Sequence, residues 1–127
     1  MNQEEIREYC LSLPGVTEHF PFDEVTLVFK VGGKIFLLLS LDAHPLSMNF
    51  KGTPEQNIEW REEYEGLIIP GYHMNKTHWN TLTSVGDLSS AKVKSLVRNS
   101  YKLIRDALPK KIREGLPGFY DAETDLC

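Results

Sequence analysis

Phe29-Lys30-Val31-Gly32-Gly33-Lys34-Ile35-Phe36 is the stretch on which the fold turns. Upstream of the glycines, Val25 to Val31 alternates. Val25, Leu27, Phe29 and Val31 take one face, and Thr26, Val28 and Lys30 take the other. That period of two is the pattern of a half-buried strand. Gly32-Gly33 supplies two residues that tolerate positive φ, as a two-residue hairpin requires. Lys34 to Leu41 is then the returning strand, apolar enough at its centre to be covered on both faces. Strands joined this tightly run antiparallel.

Downstream, His44-Pro45 breaks the chain direction and Leu46 to Lys51 forms a third strand. Leu46, Met48 and Phe50 alternate there against Ser47, Asn49 and Lys51. Thr53-Pro54-Glu55-Gln56 starts a helix: Thr53 caps it, Pro54 takes the first helical position and Gln56 completes a capping box. This helix runs to about Tyr64. Leu67 to Pro70 is a brief strand, Gly71 to Lys76 a loop, and His78 to Thr83 a further strand. In that strand Trp79 and Thr81 oppose His78, Asn80 and Leu82. Asp87 or Ser89 opens a long last helix to about Leu108. Its apolar stripe is Val93, Leu96, Val97, Tyr101, Ile104 and Leu108. Lys94, Arg98, Lys102 and Arg105 stack beside it as a basic stripe. Pro109 ends the helix, and Lys110 to Arg113 is a short basic extension.

Upstream, Asn2 to Leu13 is a helix with Ile6, Tyr9, Cys10 and Leu13 on one side. Asn2 caps it with Glu5 three residues on, and Pro14-Gly15 closes it. A short strand around His19 to Phe22 is confined to a sheet edge by Pro21. Helices segregated from a run of strands predict an α+β fold in two layers. The sheet is antiparallel, a meander plus one or two further strands, and packs against the helices. One domain is expected over residues 1–114, with a loosely held tail at 115–127.

At 127 residues, 41% hydrophobic and 25% charged, the chain is composed as a globular domain and excludes collagenous and disordered classes. Its longest apolar run, Ile35 to Leu39, is too short to cross a bilayer. The polar start, Met1 to Glu5, has none of the character of a secretory leader, so a cytoplasmic protein is expected. Cys10 and Cys127 form no CxxC motif and no disulfide framework, so reduced thiols are expected. No spare apolar helix face is visible, which favours a monomer.

The net charge of −4 argues against strong non-specific nucleic-acid binding. Its distribution is uneven. Met1 to Thr26 holds six acids against Arg7, and Lys92 to Glu114 holds eight bases against Asp106 and Glu114. Such asymmetry permits a local anion-binding face on an acidic molecule; the competing reading is an ordinary solvated helix face.

Three stretches taken together resemble the MmcQ/YjbR family of small bacterial proteins. They are the double-glycine hairpin above, Pro70-Gly71-Tyr72-His73-Met74-Asn75-Lys76-Thr77-His78-Trp79-Asn80-Thr81-Leu82, and Ser100-Tyr101 in the last helix. Leu13-Pro14-Gly15 and Pro21-Phe22 add support. The resemblance runs from about Glu4 to Leu108. It implies a compact α+β domain of the CyaY-like fold, likened to frataxin, and a DNA-binding role. It supplies no catalytic residue.

Chemistry concentrates between Tyr72 and Trp79. In a binding reading Lys76 meets an anion, Asn75 and His78 hydrogen-bond it, and Tyr72 stacks on a planar ring. In the competing reading His73 and Asn75 satisfy loop backbone groups while Trp79 packs in the core. His73 and His78 lack a third ligand at metal spacing, so no metal or other cofactor is expected. Lys30, Lys34 and Lys51 stand near the hairpin and third strand, either reaching phosphates or protecting strand edges. Nothing matches a P-loop, a dinucleotide fingerprint, HExxH or GxSxG. Cys10 reads as a small core residue, and Arg61 with Glu59, Glu62 and Glu63 as a solvated helix face. The leading expectation is a DNA-binding accessory domain that uses Lys30, Lys34, Lys76, Lys94, Arg98 and Lys102. The alternative is a protein-interaction or small-ligand module, without catalysis, that uses Tyr72, His73, Asn75, His78 and Trp79.

Overall fold

The computed structural model describes residues 1–71 and 74–119. Helix α1 spans Gln3–Ser12, and its start is the expected reciprocal box: Asn2 accepts from the Glu5 backbone while Glu5 accepts from the Asn2 backbone. Strands β1 (Val16–His19), β2 (Thr26–Val31), β3 (Lys34–Ser40) and β4 (Ser47–Lys51) follow. Helix α2 (Pro54–Glu63) opens on Thr53 with the Gln56 box complete. Then come β5 (Ile68–Pro70), β6 (Trp79–Leu82), a single 3₁₀ turn (Val85–Asp87), α3 (Ser90–Asp106) and the short α4 (Lys110–Glu114). The cap of α3 is Ser89; Asp87 belongs to the preceding turn.

One six-stranded sheet has the order β1-β2-β3-β4-β6-β5, antiparallel throughout. The early edge strand begins at Val16, not near His19, and stops before Pro21. Val16 packs against the core and pairs with Val31, whereas Pro21 has no N–H to give a ladder. Gly32 and Gly33 sit at φ 57 and 81, the left-handed pair that the tight hairpin demands. The register slips between Phe29 and Lys30, so Phe36 is the extra residue of a bulge. The bulge turns Phe36 into the core, edge-on to Tyr101 at 5.4 Å between ring centroids.

Helices α1, α2 and α3 pack on one face of the sheet, and α4 sits against the hairpin turn at Gly32. Leu27, Phe29, Leu37, Leu39, Met48, Phe50, Leu82 and Ile68 on that face join Ile6, Cys10, Val93, Leu96, Val97 and Tyr101 in one buried cluster. Each such side chain contributes about 1.5–3 kcal/mol of hydrophobic stabilisation. Burial pushes the Cys10 thiol up, so it sits as an inert core residue. Ser100, at the centre of α3, ties the layers together. Its hydroxyl donates to the Phe36 carbonyl at 2.6 Å and accepts from the Lys51 amide at 2.8 Å.

The tail was expected to be loose from Gly115. Its described part, to Phe119, is docked instead. Leu116 and Phe119 pack on the core, and Arg105 holds the Pro117 carbonyl. Arg105 is therefore no member of an exposed basic stripe. It is 7% exposed and also donates to the Tyr101 hydroxyl at 2.8 Å.

Candidate nucleic-acid interface

Antiparallel pairing gathers the C-terminal ends of β2 and β4 and the N-terminal ends of β3 and β6 at one end of the sheet. Each of these neighbouring strands brings a lysine there. Lys30 is the penultimate residue of β2, Lys34 starts β3, Lys51 ends β4, and Lys76 lies in the loop that enters β6. Lys34 and Lys76 are exposed; Lys30 and Lys51 are half-buried. At the usual strand spacing the row spans about 14 Å. Helix α4 adds Lys110, Lys111 and Arg113 at the same end, because Leu108 and Ile112 close on the hairpin turn at Gly32. Among the described residues, carboxylates near this end include Glu55, at the start of α2, with Asp106 and Glu114. Lys110 pairs with Glu114 at 3.8 Å.

The opposite end is acidic. It holds the start of α1 with Glu4 and Glu5, the Asp23-Glu24 turn, Asp42 and Asp87. A cleft lined by Asn2, Gln3, Leu41, Ala43, Ser84 and Gly86 brings the start of α1 together with the segments around Asp42 and Asp87. The early-acidic, late-basic asymmetry of the chain thus becomes in part a polarity in space.

The basic stripe on α3 is less available. Lys94 sits over the Tyr9 ring at 5.6 Å and shares a cleft of about 310 Å³ with Glu5 and Glu8. Lys92 lies over Trp60 and Tyr64 at 5.9 and 5.5 Å. Arg98 and Lys102 are half-buried and engaged within the fold.

The loop into β6 is held from below. Arg61 donates from Nη2 to the carbonyls of Lys76 (2.7 Å) and Trp79 (3.0 Å), and from Nε to Asn80 Oδ1 (2.9 Å). Asn80 Nδ2 donates to Asn57 Oδ1 at 2.7 Å, and Asn57 Nδ2 reaches the carbonyls of Gly52 and Thr77. Asn57 and Asn80 are fully buried. A Cβ at Gly52 would collide with Asn57 Oδ1 and the Trp60 ring, so glycine is required there. Burial lowers the Arg61 pKa, while three oxygen acceptors hold its charge. Arg61 is thus a buried-side anchor, not part of a solvated face. Sequence reasoning missed this network. The one signal was two asparagines at apolar-face positions.

Within the loop, Asn75 Oδ1 accepts from the Thr77 amide at 3.0 Å, a backbone-satisfying role. His78 is half-buried, and its carbonyl accepts from the Gly52 amide. Tyr72 and His73 lie outside the described residues. Trp79 does not pack in the core. It pairs across the ladder with Lys51 on the face away from the helices, and the core tryptophan is Trp60, against Phe50 at 5.8 Å. Among the described residues no three His, Cys, Asp or Glu converge as a metal site requires, and no helix is long and apolar enough to cross a membrane.

Known proteins share this architecture. The YjbR family model matches residues 11–103. The uncharacterized protein YbdF of Escherichia coli O157:H7 is 36% identical over 108 residues, covering 85% of this chain and 88% of its own. The uncharacterized protein YjbR of Escherichia coli K12 is 26% identical over 114 residues, covering 90% and 96%. The crystal structure of Deinococcus radiodurans protein DR2400, of domain DUF419, superimposes with a TM-score of 0.85 at 37% identity, covering 93% of this chain and 91% of that one. A crystal structure of a Pseudomonas syringae protein gives a TM-score of 0.70 at 25% identity, covering 82% and 99%.

Proposed function

The chain belongs to the YjbR family, and on that premise we propose that it is a cytoplasmic, monomeric DNA-binding accessory protein. It grips phosphates through the lysines at the hairpin end of its sheet, with the C-terminal half of α3 beside them. One observation carries this reading: adjacent strands β2, β3, β4 and β6 each bring a lysine to the same end. In a molecule of net charge −4, a row of this kind is the arrangement that lets a local field attract a polyanion. The overall charge keeps such binding weak and strongly salt-dependent.

The test is fluorescence anisotropy with a labelled DNA duplex at several salt concentrations. Lys34→Glu/Lys51→Glu is expected to weaken binding at every salt and to reduce the salt slope by about two. Lys94→Glu/Arg98→Glu is expected to do less, because Lys94 already faces Glu5 and Glu8. Absence of binding at low salt, or equal loss in both double variants, would overturn the assignment to the sheet end.

A second reading is a protein-interaction or small-ligand module at the loop into β6. It draws on the firmness with which Arg61 holds that loop while leaving Asn75 and Lys76 exposed. Unchanged DNA binding in Asn75→Ala/Lys76→Ala would favour it.

A further inference from the structure

We propose that the DNA this protein prefers is single-stranded, and that it lies across the helix-free face of the sheet with a base stacked on Trp79. This deepens the DNA-binding reading and rests on it. The helix-free face follows from register. Opposite the buried row, β1 presents Thr17 and His19; β2 Thr26, Val28 and Lys30; β3 Ile35, Leu38 and Ser40; β4 Ser47, Asn49 and Lys51; β6 Trp79 and Thr81; and β5 Ile69. Two side-chain hydrogen bonds agree with this register, Thr17 with His19 along β1 and Thr81 with Asn49 between β6 and β4.

None of these strand residues is acidic, in a chain with 18 carboxylate side chains against 14 lysines and arginines. At the far end, Asp23 is occupied by the amides of Val25 and Thr26 and the Thr26 hydroxyl. The face is apolar at its centre, where Val28 is buried and Leu38 is 9% exposed, and around it polar and basic residues are interspersed with Ile35, Ile69 and Trp79. Trp79 is half-buried, so part of it stays open to solvent, and Lys51 stands directly across the ladder. An aromatic ring beside lysines that track a backbone is the combination that binds single strands.

Shape points the same way. Six strands make a surface about 24 Å wide. A duplex major groove, about 12 Å wide, admits a helix or a two-stranded ribbon and not such a surface. A single strand can splay its bases onto the sheet while its phosphates reach Lys30, Lys51 and the lysines at the end.

The experiment compares labelled oligothymidylate with a labelled duplex, using the full chain at low salt. The single strand is expected to bind at least about tenfold tighter. Trp79→Leu keeps an apolar side chain but removes the π face, and should weaken oligothymidylate binding about five- to hundredfold. Trp79→Phe should retain most of it, and neither variant should change duplex binding. Lys34→Glu/Lys51→Glu should weaken both. Equal affinities for the two DNAs, or equal behaviour of the Leu and Phe variants, would overturn this inference while leaving phosphate binding at the sheet end intact. No binding of either DNA would overturn both. Self-association in sedimentation that Trp79→Leu abolishes would make the face a protein interface and also overturn the inference.

Discussion

The two faces of the sheet are made by the same strands and live by different rules. On the covered face, Leu27, Phe29, Leu37, Leu39, Met48 and Phe50 mesh with α1 and α3 in one cluster. On the helix-free face, threonine, serine, asparagine, histidine, lysine, one tryptophan and two isoleucines surround a small apolar centre. The covered face is a packing problem, in which volume decides stability. The other face is free to serve binding, because little stability rides on its polar side chains. A third region separates them, the Asn57–Asn80–Arg61 network. It sits on the covered side yet fixes the backbone of the loop at the basic end.

This contrast can be broken most sharply at Phe50. It is fully buried and touches Trp60. Phe50→Ala should cost about 3–5 kcal/mol in urea unfolding, and a cost near zero would mean that the helical layer is not seated as described. Next in size is the buried network. Asn80→Leu leaves Asn57 Oδ1 and Arg61 Nε without their partner and should cost about 1–3 kcal/mol. Its double-mutant cycle with Asn57→Leu should show a coupling of about 0.5–3 kcal/mol, and strict additivity would dissolve the network. Trp79→Leu, on the helix-free face, should shift stability by only about 1 kcal/mol; a loss as large as that of Phe50→Ala would erase the distinction between the faces.

The smallest effect is electrostatic. Arg7 binds Glu18 through two hydrogen bonds, at 2.7 and 2.6 Å, and this holds the Glu18 carboxyl below the ordinary glutamate value. A depressed folded value means the pair stabilises the fold above the unfolded pKa. That contribution fades as pH falls through the ordinary glutamate range to the lower folded value. Arg7→Met should therefore flatten the acid limb of the stability profile, slightly and less so at high salt, in urea titrations across that range.

Local signals in the sequence were reliable where the cause is local. Asn2 with Glu5, and Thr53 with Gln56, are capping boxes that bond within four residues. The Gly32-Gly33 turn depends only on its own dihedrals. The apolar stripe of the last helix, from Val93 to Leu108, is buried as its spacing requires. Site residues were legible only as types. Lys30, Lys34 and Lys76 could be named, but their shared location needed β6 to insert between β4 and β5. Arg61 and Arg105 read as surface charges because their partners, Trp79 and Asn80 for one and Tyr101 and Pro117 for the other, are set by packing.

Element types, their caps, the hairpin and the apolar stripe are written in the chain, since each follows from backbone sterics and periodicity within a few residues. The strand order, the bulge that turns Phe36 inward, the side on which Trp79 stands and the gathering of lysines at one end of the sheet emerge with the packed fold. Those depend on contacts between residues far apart in the chain. Their energies are realised only when the layers close, so no local pattern encodes them.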